Sequence, residues 1–192
     1  MLKSTRDAFG EELIELGASN PKLVVLDADV NDSTRTHAFS QIYKDRFFNL
    51  GISEQDMIGT AVGLAISGYT VFSSTFAVFL TRCLDQIRYT LAYHNANVKL
   101  VGTHGGIGLG EDGASAHSIN DIAIIRAIPN FTLLAPCDFA STKVVVRYAC
   151  NKNGPFYIRL LRQETPVIYE EEEEFQVEVA NTLRDGSDAT II

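Results

Sequence analysis

Positive charge is scarce in this chain. Its 192 residues carry 16 Lys and Arg against 24 Asp and Glu, for a formal net charge of −8. Nucleic acid is held by clustered Lys and Arg that displace counterions, so that class of partner is excluded and any phosphate site has to be local. Cysteine is scarce as well. Cys83, Cys137 and Cys150 form an odd set without CxxC spacing, which excludes a disulfide framework and a cysteine zinc site and reads as reduced thiols packed in a core. Long apolar runs are missing: nothing approaches the ~20 residues of a membrane span. Met1-Leu2-Lys3-Ser4 leads straight into a charged amphipathic pattern rather than a secretory signal, so the expected address is the cytoplasm, with no membrane partner. What the chain does have is core material. Hydrophobic residues make up 46% of it, too many for a disordered chain, and the length suits one domain but not two.

Short apolar runs at Leu23–Leu26, Thr70–Phe72, Val98–Val101, Phe131–Leu134 and Phe156–Ile158 alternate with helical patterns. Continuous runs of this kind suit strands covered on both faces, and the alternation predicts an α/β fold: a doubly wound, mainly parallel sheet with helices on both faces. The first helix is expected over about 4–18, capped by Ser4, with Phe9, Leu13 and Leu16 at helical spacing. A second is expected from Ser53, with a serine cap and Glu54 and Asp56 placed against the positive helix end. Its body, Met57 to Ile66, has no polar face. Such a helix is either enclosed by its own domain or covered by a second polypeptide that approaches closely at Gly59 and Gly63. Further helices are expected near 77–94, 119–127 and 138–150, the last capped by Asp138. Glu170 to Glu174 reads as a solvated acidic run, and Ala189-Thr190-Ile191-Ile192 as the opening of another strand. That divides the chain into a domain over 1–180 and a linker with the first strand of a missing C-terminal domain over 181–192.

Several residue sets could carry chemistry. Glu54, in the first turn of an apolar helix, is either an ordinary exposed helix-start carboxylate or a buried acid suited to a heteroaromatic ring nitrogen. Phe76 and Phe79, three apart, are either core or a stacking shelf for a flat ring. Gly108 to Gly113 formally matches GxGxxG, but Glu111 and Asp112 would repel a pyrophosphate and no helix starts at these glycines, so a dinucleotide site is rejected. The segment from Thr103 to His117 reads instead as a loop at the carboxyl end of a strand. It carries His104, His117, Glu111 and Asp112, residues suited to proton transfer and hydroxyl recognition without a fixed metal-ligand spacing. No metal is assigned to this chain. Arg6, Arg159 and Arg162 are either surface charges or the local anion site a net-acidic protein needs for a phosphorylated substrate.

Read in order, Gly51-Ile52-Ser53-Glu54-Gln55, Ser74-Thr75-Phe76, Thr103-His104 with Gly108-Leu109-Gly110-Glu111-Asp112-Gly113, Ile128-Pro129-Asn130 and Leu161-Arg162-Gln163 resemble the pyrimidine-binding domain of transketolase. The resemblance covers about residues 3–192 and implies the thiamine-diphosphate-binding fold. It implies that Glu54 hydrogen-bonds the aminopyrimidine ring nitrogen of thiamine diphosphate and that Phe76 and Phe79 pack the ring. Arg82 stands where the family has a third aromatic. Asp112 would bind a donor-substrate hydroxyl and His117 would lie near the reacting carbons. His104, Arg162, Arg6 and Ser33 would hold the sugar phosphate. The family has three residues between the aspartate and the second histidine, whereas Gly113-Ala114-Ser115-Ala116 makes four here, which implies a bulged loop or a displaced His117.

The family's diphosphate and metal motif, a Gly-Asp-Gly followed further on by an asparagine, does not occur in this sequence. The resemblance is therefore to the second subunit of a split transketolase, with the diphosphate and its Mg2+ or Ca2+ held by an N-terminal partner subunit. The assembly would be a homodimer or heterotetramer that moves a two-carbon ketol unit between sugar phosphates. Alternatives are a deoxyxylulose-phosphate synthase, which the arginine at position 82 resembles, a 2-oxo-acid dehydrogenase beta-type subunit, or a non-catalytic assembly module of the same fold.

Overall fold

The computed structural model describes residues 1–170, 172 and 175–191. In chain order the elements are β1 (Leu2–Ser4), α1 (Thr5–Ser19), β2 (Leu23–Asp27), α2 (Asn31–Thr34), α3 (His37–Ile42), β3 (Phe47–Asn49), α4 (Glu54–Ile66) and β4 (Thr70–Phe76). There follow α5 (Ala77–Leu80), α6 (Leu84–Gln86), β5 (Val98–Thr103), α7 (Asp121–Arg126), β6 (Thr132–Leu134), α8 (Phe139–Asn151), β7 (Phe156–Arg159) and β8 (Glu164–Pro166). Six strands form one sheet in the order β3-β2-β4-β5-β7-β6, every pair parallel, and β1 pairs antiparallel with β8 as a separate two-stranded sheet. The α/β class and the parallel sheet follow the sequence expectation. From β2 the chain turns first to β3 on one side and then to β4 on the other, so the strand order reverses between β2 and β4. In open α/β sheets ligands bind outside the carboxyl ends of the strands at such a reversal.

Alternation along the strands builds two cores. Val24, Leu26, Val71, Leu100 and Tyr157 pack on one face with Met57, Ile58, Ala61 and Val62 of α4 and with Ile125 of α7. Leu23, Val25, Phe72, Val101 and Ile158 pack on the other with Phe9 and Leu13 of α1 and Val145 and Val146 of α8. Successive side chains of a strand point to opposite faces, so each apolar run feeds both layers.

Several expectations are corrected. Ser4 does cap α1, accepting from the Asp7 amide, and Asp138 forms a reciprocal capping box with Ser141 at α8. Ser53 does not cap α4: its hydroxyl donates to the Leu50 carbonyl at 2.7 Å instead. The helix expected over 77–94 is broken, with a 3-10 turn at Thr81–Cys83 and π-helical winding over Ile87–Ala92. Two side-chain bonds intervene there. Thr81 bonds back to the Val78 carbonyl at 2.6 Å, and Gln55 of α4 donates to the Arg82 carbonyl at 3.3 Å, which competes with regular helical bonding. Cys83 and Cys150 are buried, but Cys137 is exposed and is not a packing residue.

The enclosed reading of α4 also fails: Gly59 and Gly63 are exposed, and a Cβ at either would meet nothing within 4 Å. Residues 189–191 lie in no strand, and among the described residues no partner strand stands beside them. Ile192 lies outside the described residues, as do Glu171, Glu173 and Glu174 of the acidic run. Glu172 is not simply solvated. It pairs with Arg147 of α8 at 2.9 Å, and Arg147 also grips the buried Glu12 of α1 through two bonds of 2.9 and 2.8 Å. Among the described residues no helix is long and apolar enough to cross a membrane.

Candidate active site

The parallel sheet ends its strands along one edge, and the candidate residues gather there. β3 leads through the turn at Gly51, whose backbone is left-handed (φ 70°), into α4, which begins at Glu54. Asn49 holds this turn by accepting from the Gly51 amide at 2.9 Å and the Asp29 amide at 3.1 Å. Glu54 is only 4% exposed, which decides between the two sequence readings in favour of a buried carboxylate. Its Oε2 lies 3.5 Å from Nη1 of Arg82, a largely exposed side chain. β4 ends at Phe76 and passes directly into α5, so that Phe76 and Phe79 stack nearly parallel, 5.2 Å apart with planes 6° apart. Both rings are half-buried, so the pair lies at the strand edge and outside both cores.

Next along the sheet, β5 pairs with β4 so that Thr103 faces Phe76 in register. His104 follows in the left-handed region (φ 58°), a strained conformation for a non-glycine residue. It is 2% exposed, and its ring stacks on Phe76 at 3.7 Å. The tautomer follows from the donors around the ring. Arg6 Nη1 can only donate to Nε2, 3.5 Å away, so Nδ1 carries the hydrogen and donates to Thr103 Oγ1 at 2.9 Å, which in turn faces the Thr75 carbonyl at 3.4 Å. Burial, reinforced by the Arg6 charge, pushes the imidazole down to about 4. The ring is therefore neutral at physiological pH. An NMR titration of the histidines is expected to give His104 a midpoint near 4, and a midpoint near 6.5 would contradict the buried geometry. The unfolded chain binds the proton between about 4 and about 6.5 while the folded chain does not, so stability from this residue falls as pH is lowered through that window.

Arg6 ties the rest together. Nη1 donates to the Ser33 carbonyl at 2.6 Å and Nη2 to the Arg162 carbonyl at 3.1 Å, which joins α1, α2 and the segment after β7. Its Nε is buried without a hydrogen-bond partner. Arg162 in turn donates to the Leu109 carbonyl at 2.6 Å and approaches Glu111 and Asp112, each at 3.4 Å. Arg6, Ser33, His104, Asp112 and Arg162 thus form one cluster, while His117 is reached through the backbone. Ser118 exchanges two bonds with Gly106, of 2.8 and 3.1 Å, which closes the loop between the histidines and returns His117 beside its start. Within Gly108 to Gly113 only Gly110–Asp112 winds, into a 3-10 turn, and no α-helix starts there, in line with the rejection of a dinucleotide motif.

Arg159, offered by the sequence as an anion ligand, is committed elsewhere: Nε bonds Asp121 Oδ2 at 2.9 Å. Sequence reasoning missed Asp121, and also Asp27. Asp27 is fully buried at the end of β2 and receives bonds from Thr34 (2.6 Å), Thr36 (3.1 Å) and the Val30 amide (2.7 Å), which fix the turn carrying Ser33. The only available signal was that each is an acidic residue at a strand or helix end.

A heteroaromatic ring with a basic nitrogen fits the chemistry of Glu54 and of the Phe76–Phe79 pair, a buried acid and two nearly parallel rings. The buried hydroxyls of Ser73 and Thr75, which share the α4 face of β4, lack partners. A metal fits less well: among the described residues no group of three or more His, Cys, Asp or Glu is placed to hold one.

Comparisons with known proteins bear on the family and the fold. A Methanocaldococcus jannaschii chain provisionally named a transketolase C-terminal section is 49% identical over 99% of this chain and 61% of its own length. Human transketolase is 39% identical over 96% of this chain but only 30% of its own length. Among solved structures, one described as a split gene transketolase, inactive beta4 tetramer, superposes with a TM-score of 0.86 at 42% identity, covering 96% of this chain and 60% of that one. The transketolase of Campylobacter jejuni superposes at 0.81 with 28% identity, covering 88% of this chain and 27% of that one. The chain therefore spans about three fifths of the archaeal relative and less than a third of the full-length enzymes. Residues 2–167 match the family described as transketolase, pyrimidine binding domain. That match takes in both the strand-edge site and the sheet that carries it, and the chain belongs to this family.

Proposed function

We propose that the chain is the pyrimidine-side subunit of a thiamine-diphosphate-dependent transketolase that transfers a two-carbon ketol unit between sugar phosphates. The observation that carries this reading is the 3.7 Å stacking of Phe76 on His104, which joins the aromatic pair to the arginine cluster. A ring-bearing cofactor and a phosphorylated substrate would then meet at one strand edge. When bound, thiamine diphosphate supplies a carbon nucleophile that also stabilises the electron pair left by cleavage beside a carbonyl. The chain's own residues do the rest. Glu54 holds a proton at the pyrimidine nitrogen, Phe76 and Phe79 stack the ring, and Arg82 flanks Glu54. Arg6, Arg162 and the Ser33 turn bind the phosphate end, and neutral His104 holds its place there by accepting from Arg6 Nη1. Asp112 accepts a substrate hydroxyl, and His117 stands near the reacting carbons.

The diphosphate and its Mg2+ or Ca2+ belong to an N-terminal partner subunit in this proposal. The exposed Gly59 and Gly63 face of α4 meets another subunit in a homodimer or heterotetramer. Residues 1–180 are the pyrimidine-binding domain, and 181–192 lead toward a further domain. The expected location is the cytoplasm.

The test mixes this chain with the complementary subunit, thiamine diphosphate and magnesium, and follows two-carbon transfer from xylulose phosphate. Transfer by the mixture and none by the isolated chain is expected. Turnover of pyruvate instead would favour a deoxyxylulose-phosphate synthase or 2-oxo-acid dehydrogenase beta-type subunit. Cofactor binding without turnover of either donor would favour a non-catalytic module.

A further inference from the structure

Two histidines of the proposed site sit at opposite ends of one loop, and a single ion pair spans both ends. Arg159 ends β7, in parallel register with Gly102 of β5. Its guanidinium lies against the backbone just after His104: a Cβ on Gly105 would fall 2.7 Å from Nε and 2.8 Å from Cζ, and one on Gly106 would fall 3.2 Å from Nη2. Only glycine leaves room for this approach. The far end of the loop returns through Ser118, which bridges to Gly105 and Gly106. Three residues later comes Asp121, the first residue of α7, 3% exposed. Asp121 Oδ2 accepts from Arg159 Nε at 2.9 Å and from the buried Tyr157 hydroxyl at 2.7 Å. A short chain of contacts therefore runs from the residue after His104, through Arg159, to the helix that starts just beyond His117.

We propose that Arg159 and Asp121 are positioning residues that close the loop and set the separation of His104 and His117. The inference rests on the transketolase reading for its catalytic consequence. Neither residue touches the substrate. The pair holds the Gly105–Gly106 segment down so that Ser118 can pair with it, and His117 is placed by that pairing. Misplacement of a positioned group by about 1 Å costs on the order of a hundredfold in rate, so loosening the loop lowers turnover without disturbing the Glu54 and Phe76 shelf.

The test uses Arg159→Met, which keeps the aliphatic stem, and Asp121→Asn, which keeps the shape and an acceptor oxygen. Tyr157→Phe is the control, because it removes one Asp121 bond and leaves the Arg159 contact. Amide hydrogen exchange on the whole chain is read at Gly106 and Ser118, whose amides make the closing bonds. Exchange at both is expected to quicken at least about tenfold in Arg159→Met, less in Asp121→Asn and little in Tyr157→Phe, with core amides unchanged. In the complex with the complementary subunit, kcat is expected to fall about 10- to 100-fold in Arg159→Met with the concentration of thiamine diphosphate for half-saturation unchanged. Unchanged exchange at Gly106 and Ser118 would overturn the proposal whatever the activity. Faster exchange with wild-type kcat, or an equal fall in Tyr157→Phe, would overturn the positioning role. A wild-type complex with no transfer at all would refute the functional reading instead, and the exchange data would still decide whether the pair closes the loop.

Discussion

Glu54→Gln is expected to abolish ketol transfer in the assembled complex while leaving the chain folded. The substitution keeps the size of a side chain that is 4% exposed at the first turn of α4, so no cavity opens. It removes the group that can hold a transferable proton at a ring nitrogen. A positioned acid or base contributes roughly 10²- to 10⁴-fold, and kcat should fall within or beyond that range. The structural cost is small by comparison. A carboxylate in a helix's first turn is worth about 0.3–1 kcal/mol, and Arg82, being largely exposed, is left solvated rather than stranded. Steady-state transfer and thermal denaturation of the same preparation check both halves of the expectation. Turnover within about threefold of wild type would remove Glu54 from the proton-holding role.

The second large effect is on stability and comes from the opposite end of the sheet. Lys99 is fully buried near the start of β5. Its Nζ donates to Asn97 Oδ1 at 2.5 Å, the Lys152 carbonyl at 2.7 Å and the Gly154 carbonyl at 2.9 Å, and lies 4.5 Å from the centroid of the Phe156 ring. In its ammonium form lysine has three donors for these three oxygens. Lys99→Met keeps the stem but strands the acceptors, at a cost of about 3 kcal/mol or more and a drop in Tm of roughly 6–12 °C.

Burial pushes the Lys99 ammonium down to about 7 from its usual 10.5. The unfolded chain therefore holds a proton through this interval that the folded chain has released, and the unfolded state binds more protons. Stability contributed by Lys99 accordingly rises with pH between about 7 and 10.5, by about 1.4 kcal/mol per pH unit at most, and is flat below about 7. Denaturant unfolding of wild type and Lys99→Met at a series of pH values should show the gap between them widening from about pH 7 to about pH 9. An unchanged midpoint would refute the anchoring role, and a gap independent of pH would refute the burial effect.

Much of the architecture was legible in the residues because its signals are local. The apolar runs at Leu23–Leu26 and Val98–Val101 had to be strands covered on both faces, and Ser4 and Asp138 announced their helices by capping chemistry. What was missed had little local signal. β3 and the β1–β8 pair are three residues long, with much of their surface exposed, and each is a strand only because a neighbour completes its ladder. Ser53 looked like a cap by type and position, yet the Leu50 carbonyl took its hydroxyl. The break in the helix after Phe79 involves Gln55, which arrives from another element.

The candidate site divides in the same way. The sequence by itself determined the residue types and their order: an acid at the start of an apolar helix, two phenylalanines three apart, and histidines at both ends of a glycine-rich loop. It could not say whether Glu54 was buried or exposed, or whether the phenylalanines were core or shelf. Only the tertiary structure decided that Arg6 bonds Ser33 and Arg162, 27 and 156 positions away, and that Arg159 belongs to Asp121 rather than to a ligand. The physical reason is range. Propensity, periodicity and capping act over a turn or two of chain, whereas burial, ion pairing and the close approach of Arg159 to Gly105 exist only after the sheet has brought distant segments together.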